Sequence, residues 1–196
     1  MSTPKLLALM ITAALSAGAM AQTNTATMTQ RDANQQQRIE NGLKSGQLNT
    51  QEAARLEKQE AKVDRMQANA LQDGKLSPAE RARINAAQNK ASADIYREKH
   101  DAQTGNPNSA SSQRMQQTVQ REAVQEQRIA NGVSSGALTN KEVANLERGQ
   151  ARVDRAQARA GADGHVSAAE QAGINARQNH QSAKIRHKKH NERTRG

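Results

Sequence analysis

The chain states one domain-sized pattern twice. Residues 31–101 return as residues 121–191 in a single register, with no insertion or deletion between them. Arg38-Ile39, Asn41-Gly42 and Ser45-Gly46 come back as Arg128-Ile129, Asn131-Gly132 and Ser135-Gly136. Val63-Asp64-Arg65, Asp73-Gly74 and Ile84-Asn85 come back as Val153-Asp154-Arg155, Asp163-Gly164 and Ile174-Asn175. Roughly half the aligned positions are identical, and a repeat of this length is a folding module, much longer than a solenoid unit. Whatever the module needs physically should therefore be visible in both copies.

Each copy is punctuated in the same three places. A polar helix runs from near Arg31 to Leu43, with Ala33, Ile39 and Leu43 as its apolar contacts, and Gly46 breaks it. A second helix restarts at Leu48-Asn49-Thr50-Gln51-Glu52, or Leu138-Thr139-Asn140-Lys141-Glu142 in the other copy. There Asn49 or Thr139 caps the helix while the glutamate reaches back to the cap's own N–H. Ala53, Leu56, Val63 and Ala70 form one narrow stripe along it, and Asp73-Gly74 ends it. Ser77-Pro78-Ala79-Glu80, or Ser167-Ala168-Ala169-Glu170, opens a third helix by the same box. The expected fold class is all-α: two homologous three-helix modules, 31–101 and 121–190, joined by a flexible linker over 102–120 that contains Gly105-Asn106-Pro107.

The ends add a compartment. Met1–Lys5 is a short positive start, Leu6–Ala17 an uncharged apolar or small-residue run, and Ala19-Met20-Ala21 an A-x-A site. Residues 1–21 therefore read as a cleaved signal peptide and the mature chain as periplasmic, with no transmembrane segment; 22–30, rich in Thr, Gln and Asn, read as a disordered lead-in. Cysteine, Phe and Trp are absent, and Leu, Ile and Val make up only about a tenth of the mature chain. Ala, Gln, Glu, Arg and Lys, all good helix formers, dominate instead. Thin apolar seams follow from this, and self-association into a homo-oligomer is one way to stabilise them.

The net charge of +10 is concentrated in the second copy, above all in Lys184, Arg186, Lys188, Lys189, Arg193 and Arg195, the last two in a basic tail at 191–196. Such a run attracts an acidic or partly unfolded protein, or an anionic envelope surface. Export and the lack of aromatic stacking platforms argue against nucleic acid. Histidine is the second candidate: His180, His187 and His190 fall on nearly one helical face and could hold a transition metal through imidazole nitrogens, the one cofactor considered. The third is the face of the last helix kept in both copies, Asn85, Gln88 and Asn89 with Asn175, Gln178 and Asn179. Those amides read either as a binding surface or as hydrogen bonds across a helix–helix seam. Asp64 and Asp154, each before an arginine, read as exposed salt-bridge partners.

Two resemblances follow from the turns. Asn69, Asp73, Gly74, Leu76, Ser77 and Glu80, and likewise Asn41, Ser45, Gly46, Leu48, Asn49 and Glu52, resemble EF-hand loops in spacing. They depart from that family at its third loop position, where Leu43, Leu71, Val133 and Gly161 stand. The Leu-Ser/Thr-x-x-Glu starts, strictest at Leu138-Thr139, are similar to the L-T-x-x-Q motif of small periplasmic stress chaperones, with Glu in place of Gln. That resemblance implies a helical, exported protein that holds unfolded clients or senses envelope stress. No G-x-S-x-G, phosphate loop or H-E-x-x-H is present, and the expectation is a non-enzymatic binding protein. The alternatives are an envelope metal-binding protein using the histidines and a structural, self-associating helical protein.

Overall fold

Six helices make up the computed structural model, which describes the backbone of residues 15–191 and side chains from residue 24. They are α1 (Leu15–Ser45), α2 (Thr50–Ala70), α3 (Pro78–Glu98), α4 (Ala110–Ser134), α5 (Asn140–Ala160) and α6 (Ala168–Lys189). All four expected capping boxes form: Asn49, Ser77, Thr139 and Ser167 each accept from the N–H of the glutamate three residues on, and that glutamate bonds back. Gly46, Gly74, Gly136 and Gly164 take positive φ at the turns between helices, where a side chain would be strained.

The helices pair across the repeat. α1 lies along α4 and α2 along α5, so each of these four helices packs most against its own equivalent in the other copy. α3 covers α1 and α2, and α6 covers α4 and α5. The Gln51 amide at the start of α2 donates to Ala162 O beyond the end of α5, and Asn140 at the start of α5 donates to Gly74 O beyond α2. The α2–α5 pair is therefore antiparallel, as expected of a pseudo-two-fold arrangement. Two apolar clusters result, and both are shared. One joins Ile39, Leu43, Leu48 and Ile95 to Met115, Val153 and Ile174; the other joins Met28, Leu71 and Ile84 to Ile129, Leu138 and Ile185. A chain short of large apolar residues gains burial by interleaving its copies, because neither copy alone encloses a core.

Two boundaries differ from expectation. Residues 22–30 are helical, part of α1; Thr25, Met28 and Thr29 are buried, Thr25 bonding Asn140 and Met28 packing with Ile129 of the other copy, so the expected disordered lead-in is replaced by packed helix. The expected linker is shorter than 102–120: α4 starts at Ala110, and Ser111, Ser112 and Met115 are buried. Even the connecting loop is held, with Gly105 N–H bonded to Gly46 O at 2.8 Å and Gln116 donating to Pro107 O. The expected signal-peptide segment falls mostly outside the described residues, as do Arg193 and Arg195 of the tail. No helix among the described residues is long and apolar enough to cross a membrane.

A candidate cation site in the bundle core

Four helices meet at the centre, and their inward stripe turns polar there. Along α2 to its C-cap the residues at alternating three- and four-residue steps are Ala53, Glu57, Glu60, Asp64, Gln67 and Leu71; along α5 to its C-cap they are Val143, Glu147, Gln150, Asp154, Gln157 and Gly161. That spacing keeps one face of a helix on its partner. Apolar residues stand at the ends of the stripe and carboxylates or amides between, and every one of these α2 and α5 residues except Gly161 is confirmed at 3 % exposure or less. α1 adds Asp32 and α4 adds Glu122 and Glu126 at the same level.

Eight carboxyl groups are thus enclosed: Asp32, Glu57, Glu60 and Asp64 from the first copy, Glu122, Glu126, Glu147 and Asp154 from the second. Ion pairs among the described residues join Lys44, Lys90, Arg97 and Lys188 to Glu40, Asp94, Glu98 and Glu142, and none reaches the eight. Burial pushes all of them up: Asp32 to about 7, Glu57 and Glu122 to about 8, the other five well above the ordinary carboxylate range. Neighbouring carboxylates add to the rise at Glu57, Glu60, Asp64, Glu126, Glu147 and Asp154. Like charges in a dry interior cannot all ionise together. Asp64 and Asp154 act on each other across the pseudo-two-fold, and burial beside further carboxylates favours the protonated form of both.

Amides orient part of this layer. Gln67 and Gln88 donate to the two Asp32 oxygens at 2.9 and 2.6 Å; Gln36 donates to Glu57 and Gln178 to Glu122, each at 3.2 Å. The rest is open. Among the described residues, both Glu147 oxygens and the whole side-chain amides of Gln150 and Gln157 are buried without a hydrogen-bond partner, as is the Gln67 carbonyl oxygen. Oxygens of Asp32, Glu126 and Glu147, from α1, α4 and α5, lie within 4.8 Å of one another. A cation such as Ca²⁺ sits about 2.3–2.6 Å from each oxygen, so one ion between these three is geometrically natural.

The residues singled out from sequence are distributed differently. Gln88 and Gln178 are buried seam residues: Gln88 donates to Met28 O at 3.0 Å and Gln178 to Thr118 O at 2.7 Å, besides their carboxylate partners. Asn89 accepts from Arg31, and Asn175 and Asn179 accept from Arg121; Asn85 is exposed. His180, His187 and His190 are exposed on α6 or at its cap, and no group of three metal-competent side chains among the described residues includes a histidine. Arg186 is exposed, Lys184 and Lys189 are half-buried, and Lys188 lies 3.9 Å from Glu142. Asp64 and Asp154, expected as exposed salt-bridge partners, are instead 2 % and 1 % exposed at the centre of the bundle. The signal that would have found the layer is the 3–4 line Glu57, Glu60, Asp64, Gln67, matched by Glu147, Gln150, Asp154, Gln157.

The exterior of the same helices carries the opposite charge. Arg55, Lys58, Lys62 and Arg65 of α2 face Arg155 and Arg159 of α5 across a groove of about 440 Å³ floored by alanines. No family model matches the chain, and neither a curated protein nor a solved structure matches it.

Proposed function

We propose that this is an exported, non-enzymatic helical protein that takes up a hard divalent cation in its carboxylate layer. The observation that carries the reading is the trio Asp32, Glu126 and Glu147: buried, drawn from three helices, in no ion pair among the described residues, with both Glu147 oxygens unsatisfied there. An all-oxygen donor set selects Ca²⁺, Mg²⁺ or Mn²⁺ over the softer metals that favour imidazole or thiolate. Cleavage after Ala21 would leave every one of these residues in the mature chain.

Calorimetric titration with CaCl₂ and with MnCl₂ near pH 8, on the wild type and on Glu147→Gln, tests it. Saturable binding is expected in the wild type and at least a tenfold loss in the near-isosteric variant, whose helix content stays unchanged by circular dichroism. Equal binding by both proteins, or none by either, overturns the reading and leaves the layer as a protonated network that fixes helix register.

A second reading is favoured by the basic groove. Six cationic side chains over an alanine floor suit an acidic protein segment, in keeping with the expected role in envelope stress. Poly-L-glutamate should bind with strong salt dependence, and Arg55→Gln/Arg155→Gln should weaken it; salt-independent binding would sink the idea.

A further inference from the structure

The two copies differ in charge at one corner of the bundle. In the second copy, Glu142 closes the capping box of α5 through Oε2, which accepts from Thr139 N–H at 3.1 Å. Its other oxygen, Oε1, accepts from Asn191 Nδ2 at 2.7 Å and lies 3.9 Å from the Lys188 ammonium. A positive charge and a donor therefore satisfy an oxygen whose residue is 3 % exposed. Burial pushes Glu142 up, but the Asn191 and Thr139 bonds and Lys188 together hold it below the ordinary value.

The equivalent corner of the first copy keeps the glutamate and inverts its surroundings. Glu52 Oε2 accepts from Asn49 N–H at 2.9 Å, as its counterpart does. Where Lys188 and Asn191 stand in the second copy, the first has Glu98 and Asp101. Glu52 is 0 % exposed, and its Oε1 is buried with no hydrogen-bond partner among the described residues. Oxygens of Glu52, Glu98 and Asp101 lie within 4.8 Å of one another. The nearby cations do not fill the gap: Arg97 reaches only as far as Glu98, at 3.7 Å, and Arg55 acts on Glu52 from a distance. Burial, together with Asp101 and Glu98, raises Glu52 despite its bond to Asn49.

From this exchange of an ammonium for two carboxylates, we infer that Glu52, Glu98 and Asp101 bind a divalent cation of the Ca²⁺ class in the place that Lys188 serves in the other copy. Glu98 and Asp101 are partly or fully exposed, so the ion keeps water on its outer side. A mixed site of carboxylates and water implies an affinity of about 0.1–1 mM, the range of extracellular calcium modules. Bound ion would tie the end of α3 and the loop after it to the start of α2. That loop already returns to the turn at Gly46 through Gly105.

The internal comparison supplies the test. In ¹H–¹⁵N spectra of the full chain, CaCl₂ should shift amides around Glu52 and Asp101 and leave those around Glu142 and Asn191 in place. Glu98→Lys/Asp101→Asn gives the first copy the residues that the second already accommodates, so the fold should survive. That variant should lose the local shifts and gain thermal stability without calcium. The reciprocal Lys188→Glu/Asn191→Asp should acquire calcium-dependent shifts at Glu142. A wild type with no local response at about 10 mM CaCl₂, ten times the weak end of the expected range, overturns the inference. So does a Glu98→Lys/Asp101→Asn variant that responds as the wild type does. Because Glu147 and the layer are untouched by these substitutions, binding in the core and binding at this corner succeed or fail separately.

Discussion

Helices α2 and α5 present opposite charges on opposite faces. Inward they carry Glu57, Glu60, Asp64, Glu147 and Asp154; outward they carry Arg55, Lys58, Lys62, Arg65, Arg155 and Arg159. Ordinary proteins bury acid beside base, since a paired charge is cheaper to desolvate than a lone one. Here the bases lie on the same helices and face away. Segregation by sign means that whatever neutralises the interior must come from solution, either protons or a cation. The exterior, in contrast, is exposed or partly exposed to solvent, which screens its charges.

Acidity should separate the two faces most strongly. The interior carboxyls have folded values raised above their unfolded ones, so the folded state holds more protons between about pH 4 and pH 8. The contribution of Asp32, Glu57 and Glu122 is complete below about pH 4 and is lost as pH rises through about 7 to 8; the other five, raised well above the ordinary range, act in the same direction. Asp94 and Glu142, whose values are lowered, act in the other direction and lose stability as pH falls below the ordinary carboxylate range. A maximum near pH 5 follows. Without divalent ions, Tm should fall by on the order of 10 °C from about pH 5 to pH 8.5, a loss of about 3–5 kcal/mol. A Tm that is flat over that interval would show the layer to be neutralised from within.

The next largest effect belongs to one interior residue. Glu147→Gln removes a buried acid that has no partner on either oxygen, and keeps its shape. At about pH 8 and without divalent ions, the variant should be more stable than the wild type by about 1–3 kcal/mol in urea unfolding. Adding CaCl₂ should then reverse the order, because only the wild type gains from binding in the layer, while any gain at the Glu52 corner is common to both proteins. Destabilisation by Glu147→Gln under both conditions would mean that the acid is held by structure and not by a ligand.

Much of the local structure was legible in the sequence, because it rests on local chemistry. Asn49, Ser77, Thr139 and Ser167 cap their helices as Ser/Thr/Asn-x-x-Glu requires, and the glycines end helices where φ turns positive. The all-α class followed from the same signals. What the repeat could not reveal is which copy supplies each helix's partner. Leu48 and Leu76 belong to neighbouring turns of one module, yet Leu48 packs in the cluster containing Val166, and Leu76 against the one containing Leu138. Both pairings satisfy the same apolar pattern. The core was hidden for a related reason: a stripe of Glu, Asp and Gln looks like a solvated face unless it is known to be enclosed. Asp64 therefore read as a surface residue although its spacing from Glu57 and Glu60 was plain.

The exterior should give the smallest stability effect, which makes it the sharpest control. Arg155 donates through Nε to Ala151 O at 2.8 Å, one turn back on its own helix, and Arg55 donates to Gln51 at 3.1 Å. Neither makes an ion pair among those formed by the described residues. Solvated side chains with only intrahelical bonds contribute little, so Arg55→Gln/Arg155→Gln should change stability by within about 0.5 kcal/mol. If the groove serves an acidic partner, the same substitutions should reduce poly-L-glutamate affinity severalfold at low salt, with the difference fading as salt screens the groove. They should also leave calcium uptake almost unchanged, since the two faces of α2 and α5 are separated by the helices themselves. A large loss of calcium affinity in this variant would instead show that the outer cations and inner acids act as one electrostatic unit, and the contrast between the faces would no longer describe how the molecule works.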